Sequence, residues 1–184
     1  DCHEPETDYG VSLAYTESQT EVLVASPGIL RIPLYYQHPL ENTVLRSPHR
    51  WHFVLRGHKG DWKAANTPLF GWEVSQPLIA RERLSLGGST LPVQGSFITL
   101  DNPSVVVPAI KKSYYDNSFV VHLAELVDSD CAVELRPSII KPSTLSRINL
   151  SEDQNLGPLE AGSNGNRVIK MKGFGIEAVS LSVK

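Results

Sequence analysis

The sequence predicts an all-β protein: a large antiparallel β-sandwich with at most one or two short helices. Three observations carry that expectation. Short runs rich in Val, Ile, Leu, Phe and Tyr recur along the chain, bounded by Pro, Gly, Asn, Asp or Ser. Several alternate apolar and polar residues with a period of two, as a strand with one wet face requires. Long amphipathic helical patterns and internal repeats are both absent, which leaves a sandwich or barrel as the way to bury such strands. One domain is expected over residues 1–184, with an internal sub-boundary near 137–145.

In chain order, residues 9–15 (YGVSLAY) and 21–25 (EVLVA) read as a hairpin across polar 16–20. Residues 29–36 follow the Pro27-Gly28 turn signal, and Pro33 weakens this run as a central strand. Residues 37–49 are polar and hold Pro39 and Pro48, so they read as an excursion of the kind that is often functional or partly mobile. Residues 51–56 (WHFVLR) alternate, with Trp51, Phe53 and Leu55 on one face. The glycines of 57–62 (GHKGDW) are expected to break that strand. Asp61 then caps a short helix beginning at Trp62, its carboxylate accepting free first-turn amides, and Thr67-Pro68 ends it. Gly87-Gly88-Ser89 reads as a loop.

The central stretch, 91–113, holds two β-branched runs, 97–100 and 105–110, joined by Asp101-Asn102-Pro103-Ser104. Asn102-Pro103 supplies the turn, because a residue before proline leaves the helical region. Pro108 cannot donate to a ladder and marks an edge or a bulge. Residues 119–126 (FVVHLAEL), the turn 128–130 and residues 131–136 (CAVELR) read as a hairpin. Two further short segments are expected in 138–149, a loop over 155–166, and closing strands at 167–172 and 177–183. In the last of these Val179, Leu181 and Val183 alternate with Ser180, Ser182 and Lys184.

Composition narrows the function classes. Hydrophobic residues make up 41% and charged residues 20% of the chain, with a net charge of −3, so the balance is that of an ordinary globular domain. There is no basic tract to hold nucleic-acid phosphates, and no apolar run nears the roughly 20 residues that span a bilayer. The opening DCHEPETDYG is unlike a secretory signal and suggests a processed or truncated chain. The compartment is undetermined, with the cytoplasm slightly favoured. Cys2 and Cys131 are expected as two free thiols rather than one bridge, since nothing indicates a small stapled fold. Asn149-Leu150-Ser151 is a glycosylation sequon, a pattern common by chance.

No residue set in the chain carries catalysis by itself. Cys2-His3-Glu4 gathers metal-capable side chains, but tetrahedral zinc needs ligands from more than one segment. His49 and His52 fall on opposite faces of a strand. Asp128 and Asp130 lack the glycine and final glutamate of a calcium loop. No G-x-S-x-G elbow occurs. Tyr35, Tyr36, Trp51, Trp62, Trp72, Tyr114 and Tyr115 are rings that stack on sugars when exposed, yet in a sandwich most tryptophans are partly core.

Four segments, in order and suitably spaced, resemble the C-terminal β-domain of α-mannosidases of glycoside hydrolase family 38. Residues 6–15, ETDYGVSLAY, are similar to that family's EPDYGVALLN. Residues 51–62, WHFVLRGHKGDW, resemble its aromatic strand followed by YPHxGDW; His58, Gly60, Asp61 and Trp62 match, whereas Arg56-Gly57 departs from tyrosine-proline. Residues 96–111 with 120–125 resemble its SF…V…NVVLEAVKRAEDGDGLVVRLYE, and the ending GFGIEAVSLSV is similar to its closing PFEIKTLRL. Residues 37–48 and 69–92 match poorly. The resemblance implies a non-catalytic β-portion of a retaining glycosidase, with a double-sheet architecture of the galactose-mutarotase-like or a related kind. The zinc ion and carboxylate nucleophile would lie on an N-terminal α/β barrel that these residues do not include, so no catalytic position and no cofactor are assigned here. His58, Asp61 and Trp62 carry over as interface or sugar-cleft candidates. The implied partners are the enzyme's own catalytic domain and mannose-containing glycans, with no nucleic acid and no membrane. The rival expectation is a stand-alone carbohydrate-binding, structural or partner-binding sandwich.

Overall fold

The computed structural model describes residues 2–4, 8–15, 23–26, 29–32, 51–80, 82, 92–139, 141–162 and 166–183. Among them the protein is all-β and antiparallel, with a single helix. The chain divides into two compact units, residues 1–80 and 81–184.

In the first unit β1 (Cys2–Glu4), β2 (Tyr9–Tyr15) and β5 (Phe53–Lys59) form a three-stranded sheet with β2 in the centre. The pair β3 (Leu23–Ser26) and β4 (Ile29–Arg31) stands as a separate two-stranded ladder. The expected hairpin between 9–15 and 21–25 is therefore not formed. The strand β5 lies along all seven residues of β2, from Tyr9 opposite Lys59 to Tyr15 opposite Phe53, a longer ladder than four-residue β3 offers. Of the two glycines expected to break the strand, Gly57 does not and Gly60 does. The ladder runs through Gly57 and His58, and the chain turns only at Gly60, whose φ of +75° lies where side chains other than glycine are strained.

Helix α1 (Thr67–Ser75) follows. Thr67-Pro68 begins it rather than ending a helix started at Trp62. Proline suits a first turn, whose amides lack intrahelical partners, and its fixed φ is already helical.

The second unit is a sandwich. One sheet has the order β11 (Asn155–Pro158), β10 (Thr144–Ile148), β14 (Ile176–Ser182), β8 (Ser118–Glu125), β7 (Val105–Lys112). The other has the order β12 (Glu160–Ala161), β13 (Arg167–Met171), β9 (Cys131–Pro137), β6 (Ile98–Leu100). Between them Val105, Val121, Leu123, Val179 and Leu181 of the first meet Val133, Leu135, Ile169 and Met171 of the second. Each such side chain stabilises the fold by roughly 1.5–3 kcal/mol through burial, against the entropy of ordering it.

The sandwich explains where the linear reading of pairings failed. Residues 119–126 and 131–136 form strands as expected, but not a hairpin: β8 pairs with β14 and β7, and β9 with β13 and β6. Both strands carry alternate fully buried residues, and these cover one another across the sandwich rather than side by side. The two runs around Asn102-Pro103 likewise enter opposite sheets. Their turn forms as expected, with the Asn102 side chain accepting the Ser104 amide at 2.9 Å. Pro108 falls where the β7 register slips, between Val106 and Ala109, on an edge strand. The 155–166 stretch, expected as loop, contributes the short edge strands β11 and β12, and the described part of 138–149 contains one strand, β10, instead of two. Residues 16–20, 37–49 and 87–89, and the tyrosines at 35 and 36, lie outside the described residues.

Candidate functional site

Residues directly opposite in an antiparallel pair project from the same face. One face of the β2–β5 pair therefore carries Gly10 with His58, Ser12 with Arg56, and Ala14 with Val54. This face looks toward α1, because buried Ser12 shares a 2.8 Å hydroxyl–hydroxyl hydrogen bond with Thr67. The other face carries Tyr9 with Lys59, Val11 with Gly57, Leu13 with Leu55, and Tyr15 with Phe53. It is apolar and open: Tyr9 is 62% and Leu55 65% exposed. Of the one-faced set expected from 51–56, Phe53 and Leu55 do share a face, with Leu55 outward, whereas Trp51 precedes the strand.

His58, Asp61 and Trp62 are neighbours on one turn. Gly60 donates its amide to Asp8 O at 2.9 Å, tying the turn to the start of β2. The His58 ring places Nδ1 3.1 Å from Gly60 O, a contact in which Nδ1–H is the donor. Asp61 Oδ1 accepts the Ala64 amide at 2.8 Å and its backbone oxygen accepts Ala65 N at 3.0 Å, so Asp61 does cap a turn starting at Trp62, though a turn rather than a helix. Trp62 is half-buried, with the Lys63 ammonium 5.3 Å from the ring centre.

Arg56, read from sequence only as a departure from the family pattern, organises this turn. Its Nη2 donates to Ala65 O at 2.8 Å, and its guanidinium lies 4.5 Å from the centre of the Phe70 ring, so one side chain fastens β5 to both the turn and α1. An arginine at an inward strand position, a few residues before a helical turn, was the available signal.

In the second unit, Asp130 is engaged by Lys172 Nζ and the Gly173 amide. Cys131 is a free, half-buried thiol whose pKa is raised by burial first, then by the nearby Glu125, Asp130 and Asp101 carboxylates. Among the described residues no three His, Cys, Asp or Glu side chains converge as metal ligands would.

A polar depression of about 220 Å³ opens on the outer face of the five-stranded sheet. Strand hydroxyls floor it, and the 152–155 segment and Asp116 line its sides. Glu152 Oε1 takes Lys111 Nζ at 2.8 Å and His122 Nε2 at 2.9 Å; the Lys111 hydrogen bond chiefly, against the opposing effect of burial, holds the Glu152 carboxyl below its usual pKa. Serine alternation along β14 was visible in the sequence, but its pairing with serines of β8 and β10 required the sheet order. The chain matches no protein-family model, and no curated protein matches it.

Proposed function

We propose that this chain is the C-terminal, non-catalytic β-portion of an α-mannosidase-like glycoside hydrolase of family 38, supporting the enzyme's own catalytic domain and shaping the approach to its sugar cleft. The observation that carries the reading is the open apolar face of β2 and β5. It is presented by the same two segments, 6–15 and 51–62, that hold the most specific resemblance. A contiguous apolar sheet face calls for a partner, and in the proposed enzyme that partner is the catalytic barrel. His58, Asp61 and Trp62 shape the turn at one end of this pair, where they order the edge of the interface. The zinc ion and the two carboxylates of retaining hydrolysis, about 5 Å apart, belong to the barrel, and no step of that chemistry is assigned to residues of this chain.

The test compares the isolated chain with the polypeptide encoded by the complete reading frame that contains it. The complete polypeptide is expected to hydrolyse an aryl α-mannoside and to lose that activity on zinc chelation, whereas the isolated chain shows no turnover with or without zinc. Turnover that follows the isolated chain through repurification, or a reading frame that encodes no barrel, overturns the proposal.

A further inference from the structure

We propose that the depression on the outer face of the five-stranded sheet binds a single neutral pyranose residue of a glycan. Its floor is made by serines of adjacent, centrally placed strands. Ser146 of β10 stands directly opposite Ser180 of β14, and Ser182 is two residues farther along β14 on the same face. A hydroxyl both donates and accepts, as each hydroxyl of a sugar does. The Ser146 and Ser182 side chains are half-buried in this floor, and Ser180 Oγ donates to Ser118 Oγ at 2.9 Å beside them. These hydroxyls face the open depression, and a sugar that displaces water from them keeps their hydrogen bonds.

The walls add directional groups. Asp116 Oδ1 is occupied by the Ser118 amide and hydroxyl, at 3.2 and 2.5 Å. Those bonds, with a further one from the Ser113 side chain, hold the exposed carboxylate at the side of the depression, where it can accept a sugar hydroxyl. Gln154 offers an amide from the opposite wall. At the rim Tyr115 is 63% exposed and is braced edge-to-face by Tyr114, with ring centres 5.4 Å apart, so it can cover the C–H face of a pyranose.

The charge pattern selects among ligands. Asp116 and Asp153 repel phosphate and carboxylate ligands, while Glu152 is already engaged by Lys111 and His122. Neutral polyols, whose hydroxyls can donate to the carboxylates and both donate to and accept from the serine floor, fit this lining, and a rigid strand floor with an aromatic rim favours a ring over an open-chain polyol. The inference stands apart from the family reading, since it requires neither the barrel nor the β2–β5 face.

The experiment is an amide NMR titration of the intact chain with methyl α-mannopyranoside, methyl α-glucopyranoside and glycerol. At least one pyranoside is expected to give saturable shifts centred on Ser146, Gln154, Ser180 and Ser182, while glycerol gives none. The double variant Ser146→Ala/Ser182→Ala is expected to bind about tenfold or more weakly, as two lost hydrogen bonds imply. Tyr115→Ala, at an exposed position that does not bear on folding, is expected to weaken binding as well. Absence of saturable shifts with both pyranosides, shifts that glycerol reproduces, or affinity unchanged in either variant overturns the site. None of these results bears on whether a mannosidase barrel precedes the chain, which the zinc-dependent assay decides separately.

Discussion

Glu125 is a carboxylate at 2% exposure beside an apolar sandwich core, and it persists there because the backbone closes around it. Its oxygens accept the amides of Val127 at 3.0 Å, Ser129 at 3.3 Å and Phe174 at 2.9 Å, so it joins the crossover after β8 to the turn before β14. Burial alone would raise its pKa, but these amides outweigh it and hold the carboxyl below its ordinary 4.5. A carboxyl whose folded pKa is depressed stabilises fully above its unfolded pKa and loses that contribution as pH falls through the folded one. Stability is therefore expected to decline below about pH 4.5, and Glu125→Gln is expected to cost ~2–3 kcal/mol at neutral pH while flattening the acid limb of urea midpoints measured against pH. None of this was legible in sequence, where Glu125 merely ended an alternating run. Asp61 was legible, because an aspartate before a short polar stretch has few other uses. Its replacement by Ala is expected to cost on the order of 1 kcal/mol through the orphaned Ala64 amide. Trp62→Ala is expected to cost ~2 kcal/mol, below the 3–5 kcal/mol of a fully buried ring, because Trp62 is half-exposed.

At the scale of elements, strand positions were readable and strand partners were not. Apolar β-branched runs and period-two alternation depend only on nearby residues, and they located β2, β5, β7, β8, β9 and β14 to within a few residues. Pairing depends on which apolar faces meet across the sandwich, which local patterning does not encode. Glycines show the same division. Gly57 and Gly60 look alike in sequence, yet a methyl group at Gly57 would meet nothing within 4 Å, whereas Gly60 has φ +75° and would bring its methyl 3.1 Å from Ala64 Cβ. Gly57→Ala is expected to be neutral or slightly stabilising, by up to ~1 kcal/mol through a stiffer unfolded chain. Gly60→Ala is expected to destabilise by ~1 kcal/mol or more. Thermal melts of the two single variants provide the comparison, and equal shifts would mean that the turn does not depend on this backbone geometry. Gly175 belongs with Gly60 for a different reason: an added methyl would lie 2.7 Å from Lys172 O, so the Lys172–Gly175 turn requires a residue without a side chain there.

At the scale of the molecule, the all-β class followed from alternation and turn residues, while the division at residues 80 and 81 left no compositional mark. The 137–145 stretch, expected as a sub-boundary, lies within the second unit and carries the chain from β9 in one sheet to β10 in the other. The face of β2 and β5 bearing Tyr9, Val11, Tyr15 and Leu55 gives this scale its own prediction. Leu55 at 65% exposure has little contact to lose, so Leu55→Glu is expected to change the isolated chain's stability by no more than about 0.5 kcal/mol. An open apolar face also promotes association. Sedimentation of the isolated chain is expected to show concentration-dependent self-association that Leu55→Glu reduces. If the proposed mannosidase reading holds, the same glutamate in the complete polypeptide is buried against a barrel without a partner, at a cost of several kcal/mol, and hydrolysis of an aryl α-mannoside is expected to fall with the loss of domain packing. If Leu55→Glu unfolds the isolated chain, the face is interior to this chain. If it leaves self-association and the complete polypeptide equally untouched, the face is ordinary surface, and the proposed docking of a barrel on it is wrong.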